Sequence, residues 1–174
     1  MVDKILVPID GSEESDKALL KALEIAEEEK AALDMFHVVE RQPIPYGEYP
    51  FAEYPQGWVG EKPGGHVQGY PKWAEKYNKN MIEHAENYFS QAFEKVEEKK
   101  SEETVTNLEI ATGNPSDKIL DKIEEGDYDL VVMGSSGLGR VERFLLGSVS
   151  KRVKSESEVP VKLFNKEGEE INNK

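Results

Sequence analysis

No cysteine occurs in the 174 residues, which excludes disulfides and thiolate metal sites and is compatible with a reducing compartment. Long apolar runs are missing as well. Nothing approaches the length a membrane-spanning helix requires. The short apolar run near the start follows an aspartate and is too brief for a secretory signal, so a cytoplasmic protein is expected. Positive charge is scarce: 22 Lys+Arg stand against 35 Asp+Glu, a net charge of -13. That balance repels phosphate backbones and anionic lipid, so neither nucleic acid nor a membrane surface is expected as a partner. The three histidines, His37, His66 and His84, are scattered, and each reads best as a structural residue rather than a metal ligand. There is no Gly-x-Ser-x-Gly elbow, and a cysteine nucleophile is impossible.

What is present alternates. Lys4 to Ile9 is a short β-rich run read as a buried strand. Asp10-Gly11-Ser12 breaks it, and a helix follows over 13–30 with Leu19, Leu23 and Ala26 at helical spacing and Ser12 as N-cap. Ala32 to Val39 reads as a second strand. A long helix over 73–99 carries one apolar stripe, Trp73, Tyr77, Met81, Ala85, Tyr88, Phe89, Ala92 and Val96. Thr104 to Ala111 reads as a third strand, and Asn114-Pro115 as the start of a short helix with Ile119, Leu120 and Ile123 inward. Tyr128 to Met133 and Val159 to Phe164 complete five strands, with a short helix between them and a polar tail over 166–174 expected to fray. The alternation predicts an α/β fold, a doubly wound five-stranded parallel sheet with helices on both faces, in one domain spanning 1–165. In such sheets ligands bind beyond the carboxyl ends of strands where the winding reverses. Two strand ends carry suitable residues, Pro8-Ile9-Asp10-Gly11 and Met133-Gly134-Ser135-Ser136-Gly137.

The second of these opens a glycine-rich stretch that runs to Ser150. Glycines let a backbone approach a ligand and turn its amides inward, and Ser148 to Ser150 fall where a helix should begin, with unpaired amides and a positive dipole end. Hydroxyls at 135, 136, 148 and 150 offer further donors. Arg140, Arg143, Lys151, Arg152 and Lys154 stand against Glu142 alone, a local charge of +4 in a chain otherwise at -17. A polyphosphate suits this chemistry. The Walker spacing fails, because Arg140-Val141 stand where Lys and Ser/Thr are needed, and the dinucleotide fingerprint has a different glycine order and follows the first strand.

The longer spacing is more specific. Gly134-x2-Gly137-x9-Gly147-Ser148 resembles the ATP-binding signature of the universal stress protein (UspA) family, and Ile5-Leu6-Val7-Pro8-Ile9-Asp10-Gly11-Ser12 resembles its first strand and turn. Leu145 to Ser150 and Val159-Pro160-Val161 look like its closing helix and strand. The resemblance implies a Rossmann-like fold of the adenine nucleotide α-hydrolase type and ATP as ligand. Pro8, Ile9 and Asp10 would line the nucleotide, with Asp10 near the ribose or a phosphate-bound Mg2+ or Mn2+. Val38 would meet the adenine, Met133, Gly134, Ser136 and Gly137 would wrap the ribose and phosphates, and Gly147, Ser148, Val149 and Ser150 would donate to phosphates. Without the resemblance, Asp10 reads as a turn or capping residue.

The resemblance also implies a homodimer through Val159 to Phe164, although Lys162 is less apolar than that pattern, and a lysine on a sheet edge discourages pairing. Residues 42–72 lie outside the resemblance. They hold six of the nine prolines, six of the fourteen glycines and an aromatic load, and they read either as a compact surface loop or as a lid or protein-partner arm. No residue stands out as a committed base, so no catalytic residue is assigned and ATP hydrolysis is expected to be slow at most. Two other readings are an enzyme of the same fold, whose Ser-Gly-Gly-x-Asp-Ser and His-x-Gly-His motifs are absent here, and a dimeric interaction module that no longer binds nucleotide.

Overall fold

The computed structural model describes residues 1–40, 72–101, 104, 106–136 and 146–171. The 42–72 insertion (apart from Lys72), Gly137, Gly139, Arg140, Arg143 and Leu145 lie outside them. The elements in chain order are β1 (Lys4–Pro8), α1 (Glu13–Glu29), β2 (Ala32–Val39), α2 (Lys72–Glu97), β3 (Thr106–Thr112), α3 (Pro115–Glu125), β4 (Leu130–Gly134), α4 (Ser148–Glu156) and β5 (Val161–Phe164). The five strands form one sheet in the order β3-β2-β1-β4-β5, and every neighbouring pair is parallel.

The central strand explains why sequence reading found it. Ile5, Leu6 and Val7 are all fully buried because helices cover both faces, so β1 has no solvent side on which to alternate. Ile5 and Val7 face a cluster built with Ala18, Leu19, Ala22, Leu23 and Ala26 of α1 and Phe89 and Val96 of α2. Leu6 faces the other cluster, with Ile119 and Ile123 of α3 and Val153 of α4. The chain winds outward through β2 and β3 under α1 and α2, then returns to β4 and β5 under α3 and α4. Right-handed crossovers in opposite directions place the two helix pairs on opposite faces. The reversal falls between β1 and β4, and their carboxyl ends diverge there.

The helix starts follow the residues that cap them. Ser12 Oγ accepts from the Ser15 amide at 3.1 Å, and Asn114 Oδ1 accepts from the Asp117 amide at 3.3 Å, with Pro115 leading α3. Strand edges differ from expectation where side chains found other work. Thr104 precedes β3 instead of opening it, because its hydroxyl donates to Glu27 at 2.7 Å. Tyr128 precedes β4, with its ring in the core and its phenol donating to Asp34 at 2.8 Å. The tail also differs. The tail over 166–174 is expected to fray, yet its described residues, to 171, turn back along β5, and Phe164 bridges Glu170 in antiparallel sense.

Asp34 is the most heavily engaged carboxylate of the described sheet. It accepts from Tyr128, from Asn107 Nδ2 at 2.7 Å and from Lys4 Nζ at 3.2 Å. Burial by itself would raise its pKa, but the hydrogen bonds from Asn107, Tyr128 and Lys4 outweigh that and hold it below the ordinary value. A depressed carboxylate stabilises the fold above its unfolded pKa, and that contribution fades as pH falls through the lower folded value. Tyr128→Phe is expected to cost about 1–2 kcal/mol at pH 7 and to move the acid limb of the stability curve to higher pH. Denaturant melts from pH 2 to 7 check this, and an unmoved acid limb would contradict the assignment.

Candidate functional site

The carboxyl ends of β1, β2 and β4 and the starts of α3 and α4 enclose a cavity of about 370 Å³. Its walls are of two kinds. Phe36 and Val38 of β2, Pro115 and Ile119 of α3, Met133 of β4 and Val149 of α4 line an apolar compartment. Asp10, Ser15, Gly134, Ser136, Gly147 and Ser148 add polar atoms to the same lining. Phe36 and Val38 share one strand face by the two-residue repeat, and Pro115 and Ile119 share one helix face at a four-residue step.

Of the residues singled out from the sequence, Pro8, Ile9, Asp10, Val38, Met133, Gly134, Ser136, Gly147, Ser148, Val149 and Ser150 all line this cavity. Gly137 lies outside the described residues. Phe36, Glu40, Pro115, Ile119 and Ser15 were not anticipated. The signal for Phe36 was present in its alternation with Val38. Pro115 and Ile119 required knowing that α3 packs over β2 and beside α4, which no local pattern states. His37 also borders the cavity, yet it serves structure as expected. Its Nδ1 lies 2.7 Å from the Ile9 carbonyl, its ring stacks on Phe89 at 3.8 Å, and burial lowers its pKa against the opposing effects of that hydrogen bond and Asp10.

The turn after β1 makes Asp10 half structural. The Ser12 amide and hydroxyl both donate to Asp10 Oδ1, at 3.0 and 2.6 Å. Gly11 takes φ +84°, a left-handed conformation that favours glycine. The Asp10 side chain is exposed, and its Oδ2 has no partner among the described residues. Opposite stands the start of α4. Gly147 is its N-cap and supplies no side-chain bond, and the first helical acceptance is by the Gly147 carbonyl from Lys151 at 2.9 Å. The amides of Ser148, Val149 and Ser150 precede that bond, have no backbone partner among the described residues and carry the positive end of the helix dipole.

The serines divide their labour in a way the sequence did not state. Ser150 is buried, and its hydroxyl donates to the Ser135 carbonyl at 2.7 Å and lies 3.1 Å from the Gly147 carbonyl. The Gly147 amide donates to the same Ser135 carbonyl at 2.8 Å. This lashing fixes α4 against the end of β4, so the Ser150 side chain is spent on holding the two elements together. Ser136 Oγ donates to Glu14 of α1 at 3.1 Å. Ser148 is exposed, and its hydroxyl has no partner among the described residues.

The cationic island is also redistributed. Arg152 turns onto α3, where it meets Asp117 at 2.5 Å and Ser116 at 3.0 Å, and it pairs with Glu156 at 3.1 Å. Neither Lys151 nor Lys154 lines the cavity, and the charged residues among its described walls are the carboxylates Asp10 and Glu40. Among the described residues no cluster of three or more His, Asp or Glu forms a metal site, and no helix is long and apolar enough to cross a membrane.

Comparison with known proteins agrees with this architecture. A universal stress protein from Bacillus subtilis, YxiE, is 31% identical over 163 residues, covering 92% of this chain and 97% of its own. UspA from Lactobacillus plantarum shares the fold, with a TM-score of 0.72, 22% identity and coverage of 93% of this chain and 97% of that one. A universal stress protein family protein from Arabidopsis thaliana, solved with AMP bound, superposes with a TM-score of 0.55 at 18% identity, covering 94% and 91% of the two chains. The sequence model of the universal stress protein family matches residues 1–164, and this chain therefore belongs to that family.

Proposed function

We propose that this protein binds an adenine nucleotide, ATP in the first place, and acts in the cytoplasm as a nucleotide-responsive regulatory member of its family. One observation carries the reading. One cavity is lined both by the apolar Phe36, Val38, Ile119 and Met133 and by the start of α4, whose first amides have no partner among the described residues, at the point where the sheet reverses its winding. The base would lie among Phe36, Val38, Ile119 and Met133, and the phosphates would meet the amides of Ser148, Val149 and Ser150. The AMP held by the Arabidopsis relative supports the ligand class.

The donor set suits a hard divalent ion as companion to the phosphates. Asp10 Oδ2 has no partner among the described residues, and Mg2+ or Mn2+ is commonly held by one or two carboxylates together with phosphates and water. Such an ion would neutralise phosphate charge in a cavity whose described walls otherwise add negative charge. No side chain among the described walls is set as a committed base, and the proposal therefore takes turnover to be at most slow and occupancy to be the signal.

Nucleotide released from the purified protein by acid should be identified as adenine nucleotide, and calorimetry should show ATP binding that weakens when magnesium is chelated. A chain that carries none and binds none at millimolar ATP would overturn the reading. The homodimer expected along β5 is not carried into it.

A further inference from the structure

We propose, on the nucleotide reading above, that Glu14 fixes Ser136 as a hydrogen-bond acceptor and so makes the site select a ribose hydroxyl on its ligand. The direction of one hydrogen bond carries this. A serine hydroxyl has a single proton to give, whereas an ionised carboxylate can only accept. Ser136 Oγ lies 3.1 Å from Glu14 Oε1, so its proton is spent on Glu14. Ser136 lines the cavity and Glu14 does not. What Ser136 turns to a ligand is therefore lone pairs.

The fold holds Glu14 to this duty. It lies in the first turn of α1, where the positive end of the helix dipole favours a carboxylate. Ser12, the N-cap bonded to the Ser15 amide, fixes where that turn begins. The turn is pressed against the end of β4, because a β-carbon at Gly134 would stand 3.0 Å from Glu14 Cβ. The missing side chain at Gly134 is thus what brings the carboxylate within reach of a hydroxyl two positions further on. Both partners are half-buried, so water competes only in part for the bond.

The chemistry of the ligand names the donor that meets Ser136. Ionised phosphates and the ring oxygen of a ribose accept, and lone pairs of Ser136 would repel them. This takes Ser136 out of the phosphate-facing donors expected from the sequence. An adenine nucleotide carries donors on its amino group and on its sugar hydroxyls. The amino group goes with the base among Phe36, Val38, Ile119 and Met133, all members of the core cluster on the α3 and α4 face. Ser136 bonds instead toward α1, which covers the opposite face. The sugar joins base to phosphates, and its hydroxyls are the donors left to meet an acceptor on that side. A site that offers an acceptor to a hydroxyl rejects the analogue lacking it, because the acceptor is then left unpaired.

Calorimetry with ATP and with its 2′-deoxy and 3′-deoxy forms tests it, on the parent chain and on Ser136→Ala, Glu14→Ala and Glu14→Gln. The parent should bind ATP about tenfold more tightly than at least one deoxy form. Ser136→Ala and Glu14→Ala should bring that ratio to within about twofold of unity. Glu14→Gln keeps an acceptor oxygen without the charge and should retain the ratio. Removing a negative charge shifts the affinities for all three ligands alike, so the ratio isolates the hydroxyl. Failure of the parent to bind ATP would overturn the nucleotide reading and this proposal together. ATP binding with equal affinity for both deoxy forms would overturn this proposal alone. So would a ratio that survives Ser136→Ala or Glu14→Ala, or one that is lost in Glu14→Gln, and circular dichroism melts confirm that every variant is folded.

Discussion

Gly134→Ala is expected to lower the unfolding midpoint and to weaken nucleotide retention together. Gly134 ends β4 directly beneath the first turn of α1. A β-carbon there would stand 3.0 Å from the backbone carbon of Glu14, its Cβ and the Ser15 amide nitrogen. Two of those atoms are helix backbone, which cannot swing aside as a long side chain can. Either α1 shifts or the end of β4 does, and overpacking of this kind costs about 2 kcal/mol. For a chain of this length the midpoint should fall by ~4–8 °C. The same displacement moves Met133 and Ser136, which border the cavity on either side of Gly134, so the proposed site loses its shape at the strand end. Thermal melts with and without ATP separate the two effects. A midpoint within a degree of the parent would contradict the close approach of α1 to β4.

Ser148→Glu is expected to act in the opposite sense on stability and far more strongly on binding. Ser148 is the first residue of α4, exposed and at the cavity wall. A carboxylate in a first helical turn interacts well with the dipole, so the fold should hold or gain slightly. The same carboxylate would occupy the place proposed for phosphate and add to Asp10 and Glu40. Juxtaposed like charges cost several kcal/mol in a binding site, so ATP affinity should fall by about 100-fold or more. Adenosine, which has no phosphate, should bind the variant nearly as well as the parent. Equal losses for ATP and adenosine would place the phosphates elsewhere, and an unchanged ATP affinity would remove α4 from the site.

Most of the fold was legible because its signals are local. Pro115 after Asn114, Ser12 after the Asp-Gly turn, and the uninterrupted Ile5-Leu6-Val7 run each report a structural role within a few residues. The candidate cavity was legible for a different reason: many of its lining residues sit on two short stretches, 8–10 and 147–150, joined to the spacing of Gly134. Side-chain duties were not legible. Ser148 and Ser150 look alike as hydroxyls near a helix start, yet Ser150 is spent on the Ser135 carbonyl while Ser148 faces outward. Arg152 looked like part of a phosphate-facing island, and only the packing of α3 beside α4 brought Asp117 within its reach.

The sequence by itself determined the order of strands and helices, their capping, the parallel sheet they must form and the two turns where a ligand belongs. Periodicity, turn chemistry and charge act between residues close along the chain, and they survive in any reading of it. The tertiary structure alone decided which residues close the cavity and which edges stay open. Pro115 and Ile119 meet Phe36 across 79 or more positions of chain, and Ile171 reaches the Leu163 carbonyl only after a turn has brought the tail round. Contacts of that kind depend on how faces and edges are brought together in space, and the free energy that selects them comes from burying apolar surface and satisfying backbone groups across the whole domain.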